Sequence, residues 1–335
     1  MAEQLISILM PVKNTAIFLP DCLNSILQQT EKNWELIAVN DHSTDDSLEI
    51  LEALAQKDAR IKVFTNTGDG IIDALQLAYE NSQGRLITRM DSDDIMLPEK
   101  LAVLKKQLIT HSKGHLATGL VQYFSADGVG EGYQKYQDWL NGLTMKGANF
   151  QDLYKECVIP SPCWMVYRTD LEKCAAFRPN RYPEDYDLCF RFYENGLKII
   201  PNDQVLHQWR DYPNRTSRTD KNYADNRFLA IKVHYFLKLE MDKTRPLVIW
   251  GAGRKGKLIA RQLIEYKIDF QWVCNNERKI GRDIYGQILL PFNAIKKMSQ
   301  PQLIISVAGN LQQKEILYYL LKEQFQGGED YFFFC

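Results

Sequence analysis

The stretch TRMDSDDIMLP, residues 88–98, places Asp91, Asp93 and Asp94 within four positions, between an apolar run and Met96, Leu97 and Pro98. Two aspartates one residue apart suit a hard divalent cation, which takes oxygen ligands and completes its shell with substrate phosphates. A cation seated there binds a nucleotide diphosphate and neutralises charge on a departing diphosphate. Such a leaving group needs no proton. What remains is deprotonation of an incoming hydroxyl by a separate carboxylate. PEDYDLCFRFYENG, residues 183–196, supplies one, because Glu184 and Asp185 open a helical pattern closed by Gly196, with Asp185 the candidate base. Acids in a first turn also answer the helix dipole, so helix capping is the plain structural alternative for both.

The elements that must hold these groups follow from periodicity. LISILMPVKN, WELIAVND, IKVFTN and RLITRMDSDD read as strands. FLPDCLNSILQQT, STDDSLEILEALAQ and GIIDALQLAYENSQG, between them, carry apolar residues at helical spacing. Alternation of this kind predicts an α/β fold with a parallel sheet in the first hundred residues. Such sheets bind ligands beyond the carboxyl ends of their strands. Asn14, Asp41, Asn66, and Asp91 with Asp93 fall at those four ends. Any one of them is an ordinary turn residue; their joint occurrence marks a site. Asp94 reads as a helix cap or turn group, because MLPEKL with Pro98 is a helix entry. Residues 110–182 are less periodic and rich in aromatics, which would shape an acceptor pocket.

Composition limits the alternatives. With 335 residues, 45% hydrophobic and 25% charged, the chain is long enough for more than one domain. Lys plus Arg (41) nearly cancels Asp plus Glu (42), so no global field draws in nucleic acid or an anionic bilayer. Seven cysteines without a Cys-x-x-Cys pair argue against a disulfide framework or zinc knuckle and for a reducing compartment. Without a signal-peptide pattern or a membrane-length apolar run, a cytoplasmic location is expected, with peripheral contact at the inner membrane face left open.

RPLVIWGAGRKGKLIARQLIEY carries Gly251, Gly253 and Gly256 between a strand and a helix, the setting of a phosphate-binding turn. The acid expected after the next strand is missing, since Cys274, Asn275 and Asn276 stand there, so tight packing of helix on sheet is the first reading of the glycines and ligand binding the second. The expected division is therefore 1–220, a helical linker 221–243, and a smaller Rossmann-like α/β domain over 244–335. Its terminal YFFFC reads as a last strand, or else as an exposed apolar patch.

SILMPVKNTAIFLPDCLNSILQQT, WELIAVNDHSTDDSLEIL, GIIDALQLAYENSQGRLITRMDSDDIMLPEKL and PEDYDLCFRFYENG, in that order, resemble the family 2 glycosyltransferases. These are inverting enzymes of the GT-A fold that use nucleotide-activated sugars, and the resemblance covers the first two thirds of the chain. It implies that Asp41 contacts the nucleobase, within a nucleotide-sugar site that also takes in Pro11, Asn14 and Asn66. Asp91 would meet the ribose or metal and Asp93 the metal, as the family's DXD motif, while Asp185, beside Glu184, would deprotonate the acceptor. His207, in VLHQWRDYPNRTSR, would complete the metal shell or touch the diphosphate, unless it is structural as lone histidines often are. Arg210, Arg215 and Arg218, with Ser217, resemble the family's basic loop over the donor phosphates.

The resemblance implies Mn²⁺ or Mg²⁺, a UDP-sugar donor, and a hydroxyl acceptor on a glycan or lipid-linked precursor of a surface polysaccharide. Two departures are visible, Lys13 where the family often has Tyr and Asn40 in place of a first acid. Two rivals remain: an NAD(P)-dependent oxidoreductase acting at the glycine turn, and an inactive binding module.

Overall fold

The computed structural model describes residues 4–219 and 227–335; residues 220–226, where the expected linker begins, lie outside them. The chain divides into two compact units. One comprises 1–150 with 158–218, and the other 151–157 with 219–335. The described part of the expected linker therefore belongs to the second unit, as does the short segment 151–157. No helix of the described residues is long and apolar enough to cross a membrane.

The first unit opens with β1 (Ile6–Val12), α1 (Leu19–Leu27), β2 (Trp34–Asn40), α2 (Ser47–Ala55), β3 (Ile61–Thr65), α3 (Ile71–Glu80) and β4 (Leu86–Arg89). The four strands are parallel in the order β3-β2-β1-β4. Every residue of β1 and β2 is buried, as expected of central parallel strands covered on both faces. Polar residues inside them are paired, Ser7 Oγ donating to Glu35 Oε1 at 2.7 Å. Pro11 sits within β1, where its missing N–H is tolerated because pairing with β4 ends at Leu9.

Next come β5 (Ile95–Met96), α4 (Lys100–His111), β6 (His115–Thr118), β7 (Leu120–Phe124), α5 (Glu131–Thr144), β8 (Trp164–Tyr167) and α6 (Arg168–Lys173). The unit closes with α7 (Glu184–Glu194), β9 (Lys198–Ile200), β10 (Val205–Arg210) and a short α8 (Thr216–Thr219). The first sheet extends as β4-β8-β6-β9, with β8 antiparallel to both neighbours. A second sheet, β5-β10-β7, carries the polypeptide just past the acid loop. Among the aromatics of residues 110–182, Tyr123, Tyr154, Trp164, Tyr167 and Phe177 are buried, Tyr123 stacking on Trp209 at 5.1 Å, and the others are half-buried.

The second unit has α9 (Arg227–Tyr235), β11 (Leu247–Trp250), α10 (Arg254–Glu265), β12 (Gln271–Cys274), β13 (Asp283–Ile284), β14 (Gln287–Pro291), β15 (Gln302–Ile305), α11 (Asn310–Lys322) and β16 (Tyr331–Phe333). Its sheet order is β13-β14-β12-β11-β15-β16, parallel except for β13. Gly251 makes the turn after β11 at φ 122°, a region that favours glycine. A Cβ on Gly256 would lie 2.1 Å from the Gly251 carbonyl oxygen, so this glycine lets α10 close on the turn. Where an acid would grip a ribose, Asn275 Oδ1 instead accepts the Trp250 indole N–H at 2.7 Å. The terminal apolar residues are core: Phe334 is fully buried and stacks on Tyr154 at 5.3 Å, which removes the exposed-patch alternative.

Candidate active site

The acid loop starts where β4 stops. Arg89, the last residue of β4, donates from Nε to Asp91 Oδ1 (2.7 Å) and from Nη1 to Glu184 Oε1 (3.0 Å). One buried guanidinium thus ties the strand-end acids to the first turn of α7, 95 positions away, through two charge-assisted bonds. Glu184, expected with the catalytic pair, is held by this contact. Asp185 follows it, half-buried, with Oδ1 accepting the Tyr186 N–H at 2.7 Å. Burial first, and the charge of Glu184 second, push the Asp185 carboxyl up to about 7, against the pull of Arg89. A cavity of about 10 Å³, room for one water, has Arg89, Ser161, Glu184 and Asp185 on its polar side. Ser161 Oγ, buried there, has no hydrogen-bond partner among the described residues, and nothing in the sequence singled it out.

Asp93 is buried, its Oδ2 accepting the Tyr212 hydroxyl at 2.9 Å. Burial, then the neighbouring Asp94, raise its carboxyl to about 7, with Arg215 opposing. Asp91, Asp93 and Asp94 therefore form a crowded anionic loop whose ionised state an added cation would relieve. Among the described residues no three His, Cys, Asp or Glu side chains converge into a complete metal cage. A hard dication held by one or two carboxylates and completed by phosphates still fits this donor set.

Two expectations are corrected, the first in part. Asp94 is not a helix cap, since α4 begins at Lys100, but it is a turn group, its N–H donating to the Asp91 carbonyl at 3.3 Å; it is fully buried, accepting the Arg210 N–H at 2.8 Å and facing His207 Nε2 at 3.0 Å. His207 is not open to a metal. Its Nδ1 faces Lys100 Nζ at 3.1 Å, and an ammonium only donates, so Nδ1 accepts and Nε2 carries the proton toward Asp94. Burial, reinforced by Lys100, holds the ring well below its usual range and hence neutral. The arginines expected over the donor phosphates also have protein partners. Arg210 donates to the Asp93 carbonyl (2.7 Å) between the rings of Phe18 (4.7 Å) and Phe124 (4.6 Å). Arg218 donates to both Asp211 oxygens (2.8 Å each) and covers Tyr133. Arg215 is buried over Trp209.

At the ends of β1 to β3 a second constellation forms around Asp41. Its Oδ1 accepts Asn66 Nδ2 (2.7 Å) and the Gly70 N–H (3.1 Å), and its Oδ2 accepts Lys13 Nζ (3.0 Å). Burial pushes Asp41 up, but these donors outweigh it and hold the carboxyl below the usual range. Asn66 and Lys13 therefore orient Asp41. Asn14, at φ 52°, ties its own loop to the next by accepting the Thr44 N–H at 2.8 Å. Pro11 stays inside β1 as a buried strand residue. Thr15, one position past Asn14, donates to Ser92 Oγ at 2.9 Å and so links this loop to the acid loop.

An α/β sheet with acids at its carboxyl rim and a helix-borne carboxylate tied to them defines a nucleotide-binding transferase class of site. The sequence profile described as Glycosyl transferase family 2 matches residues 7–175, and this chain belongs to that family. TuaG of Bacillus subtilis, a glycosyltransferase assigned to teichuronic acid biosynthesis, is 36% identical over 243 residues, covering 72% of this chain and 90% of TuaG. Glycosyltransferase GlyG of Streptococcus pneumoniae is 28% identical over 226 residues, covering 65% of this chain and 74% of GlyG. The match spans only 24% of an uncharacterized glycosyltransferase of Rickettsia bellii and 44% of one from Haemophilus influenzae. Among solved structures, that of S. aureus TarS 1-349 in complex with UDP-GlcNAc superposes with a TM-score of 0.56 at 18% identity, covering 78% of this chain and 72% of that one. The likeness at that identity is one of fold, and it agrees with a GT-A type sheet joined to a second α/β domain.

Proposed function

We propose that this chain transfers a sugar from a nucleotide diphosphate, a UDP-sugar above others, to a hydroxyl of a surface-polysaccharide or lipid-linked glycan precursor, with inversion at the anomeric carbon. The observation that carries the reading is the Arg89 bridge, which sets the base-bearing turn of α7 against the acid loop. The UDP-GlcNAc complex of the structural neighbour supports the donor class, and the teichuronic acid relative supports the acceptor class.

Asp185 takes the acceptor proton while the acceptor oxygen attacks the anomeric carbon from the face opposite the diphosphate. The carbon–oxygen bond to the diphosphate breaks, and the leaving group keeps the electron pair. A carboxyl held near neutral pKa is well matched to that proton transfer. Asp41, pre-aligned by Asn66 and Lys13, contacts the nucleobase. Asp93 and Asp91 are the residues that would hold Mn²⁺ or Mg²⁺, and the bound ion would supply electrostatic stabilisation of the diphosphate.

Asp185→Asn should lower transfer from UDP-sugars by about 10²- to 10⁴-fold while leaving UDP affinity unchanged. Transfer at the parent rate by a folded variant would refute the assignment.

A further inference from the structure

The near-cancelling charge of the whole chain conceals a division by sign. Residues 1–219 hold 23 Lys and Arg against 30 Asp and Glu, whereas residues 227–335 hold 17 against 10. The stretch 227–335 is thus cationic, and it carries an apolar surface other than the terminal phenylalanines, which are core.

That surface lies on α11. Its inner side is ordinary, with Ile316 and Leu320 buried. Its outer side is not: Leu311 is 66% exposed, Tyr318 73% and Leu321 60%. At helical spacing Leu311, Lys314, Tyr318, Leu321 and Lys322 fall within a sector of roughly 100°, bordered by Glu315. Among the described residues neither Lys314 nor Lys322 has a carboxylate partner. A surface helix normally turns polar residues to water. One that is apolar on both sides, with lysines set among the outer leucines, is built to be covered a second time.

We infer that the outer face of α11 docks on an anionic lipid surface. The two leucines enter the boundary between headgroups and acyl chains, Tyr318 settles at the interface with its hydroxyl toward water, and the lysines lay their stems along it with ammonium groups at lipid phosphates. Charge selects this occupant over a second copy of the chain. A two-fold pairing of α11 with itself would bring together two cationic units and set Lys314 and Lys322 near their own counterparts. An anionic bilayer complements both the face and the unit behind it.

Flotation of the full chain with vesicles tests this directly. Binding is expected to vesicles containing about one third phosphatidylglycerol in phosphatidylcholine, to weaken with salt, and to be negligible on phosphatidylcholine alone. The triple variant Leu311→Ser, Tyr318→Ser, Leu321→Ser should bind at least ~10-fold less, and Lys314→Glu with Lys322→Glu should also reduce binding. Both variants keep the parent's thermal unfolding transition, which shows that the second unit is folded. Equal binding to neutral and anionic vesicles, unimpaired binding by the serine variant, or a change from dimer to monomer on introducing the serines would each overturn the inference.

Discussion

A carboxylate is a stronger base near neutral pH where its surroundings oppose its charge, and burial and the adjacent Glu184 do so for Asp185. The sign of the pH dependence follows. The base must be unprotonated, so transfer should rise with pH, by about tenfold per unit below its pKa, and level off above about 7. A profile of kcat that is flat from about pH 6 to about pH 8 would remove Asp185 from the role. At this scale the acids were legible in the sequence, because each stands where a local pattern ends: Asp41, Asp91 and Asp93 past strands, Asp185 at a helix start. Their partners were not. Arg89 reaches Glu184 across 95 positions, Lys100 reaches His207 across 107, and Tyr212 reaches Asp93 across 119. His207 illustrates the difference. Its local sequence is that of any histidine on a strand, and only the side chains of Lys100, at the start of α4, and Asp94 reveal that both ring nitrogens are engaged.

Among elements, β1 to β4 with their helices were readable because central parallel strands are continuous apolar runs with helical patterns between them. The strands β6 to β8 were not, since they lie in a less periodic stretch and all three pair with elements distant in sequence. The glycine turn shows how one motif divides between roles. Gly251 and Gly256 answer backbone geometry and the closure of α10, whereas nothing lies within 4 Å of a Cβ built on Gly253. Gly256→Ala should therefore destabilise the second unit by about 1–3 kcal/mol through overpacking against the Gly251 carbonyl. Thermal unfolding would register this as a lowered transition with UDP affinity intact. An unshifted transition would mean that α10 does not rest on that contact.

For the whole molecule, composition gives a near-zero total charge. The division of sign between the first 219 residues and the last 109 lies below the resolution of a sum. On the proposed function it matters because a lipid-linked or surface-polymer acceptor would lie near a membrane, and a cationic unit with an exposed apolar helix would supply attraction and contact together. The two-unit division also separates the tests, since changes at the glycine turn or on α11 should leave the acid loop untouched.

Calorimetric titration of UDP into the protein with and without Mn²⁺ tests the central claim most directly. The account predicts binding that strengthens at least ~10-fold with the metal and loses that gain in Asp93→Ala. Metal-independent UDP binding, unchanged in Asp93→Ala, would contradict it.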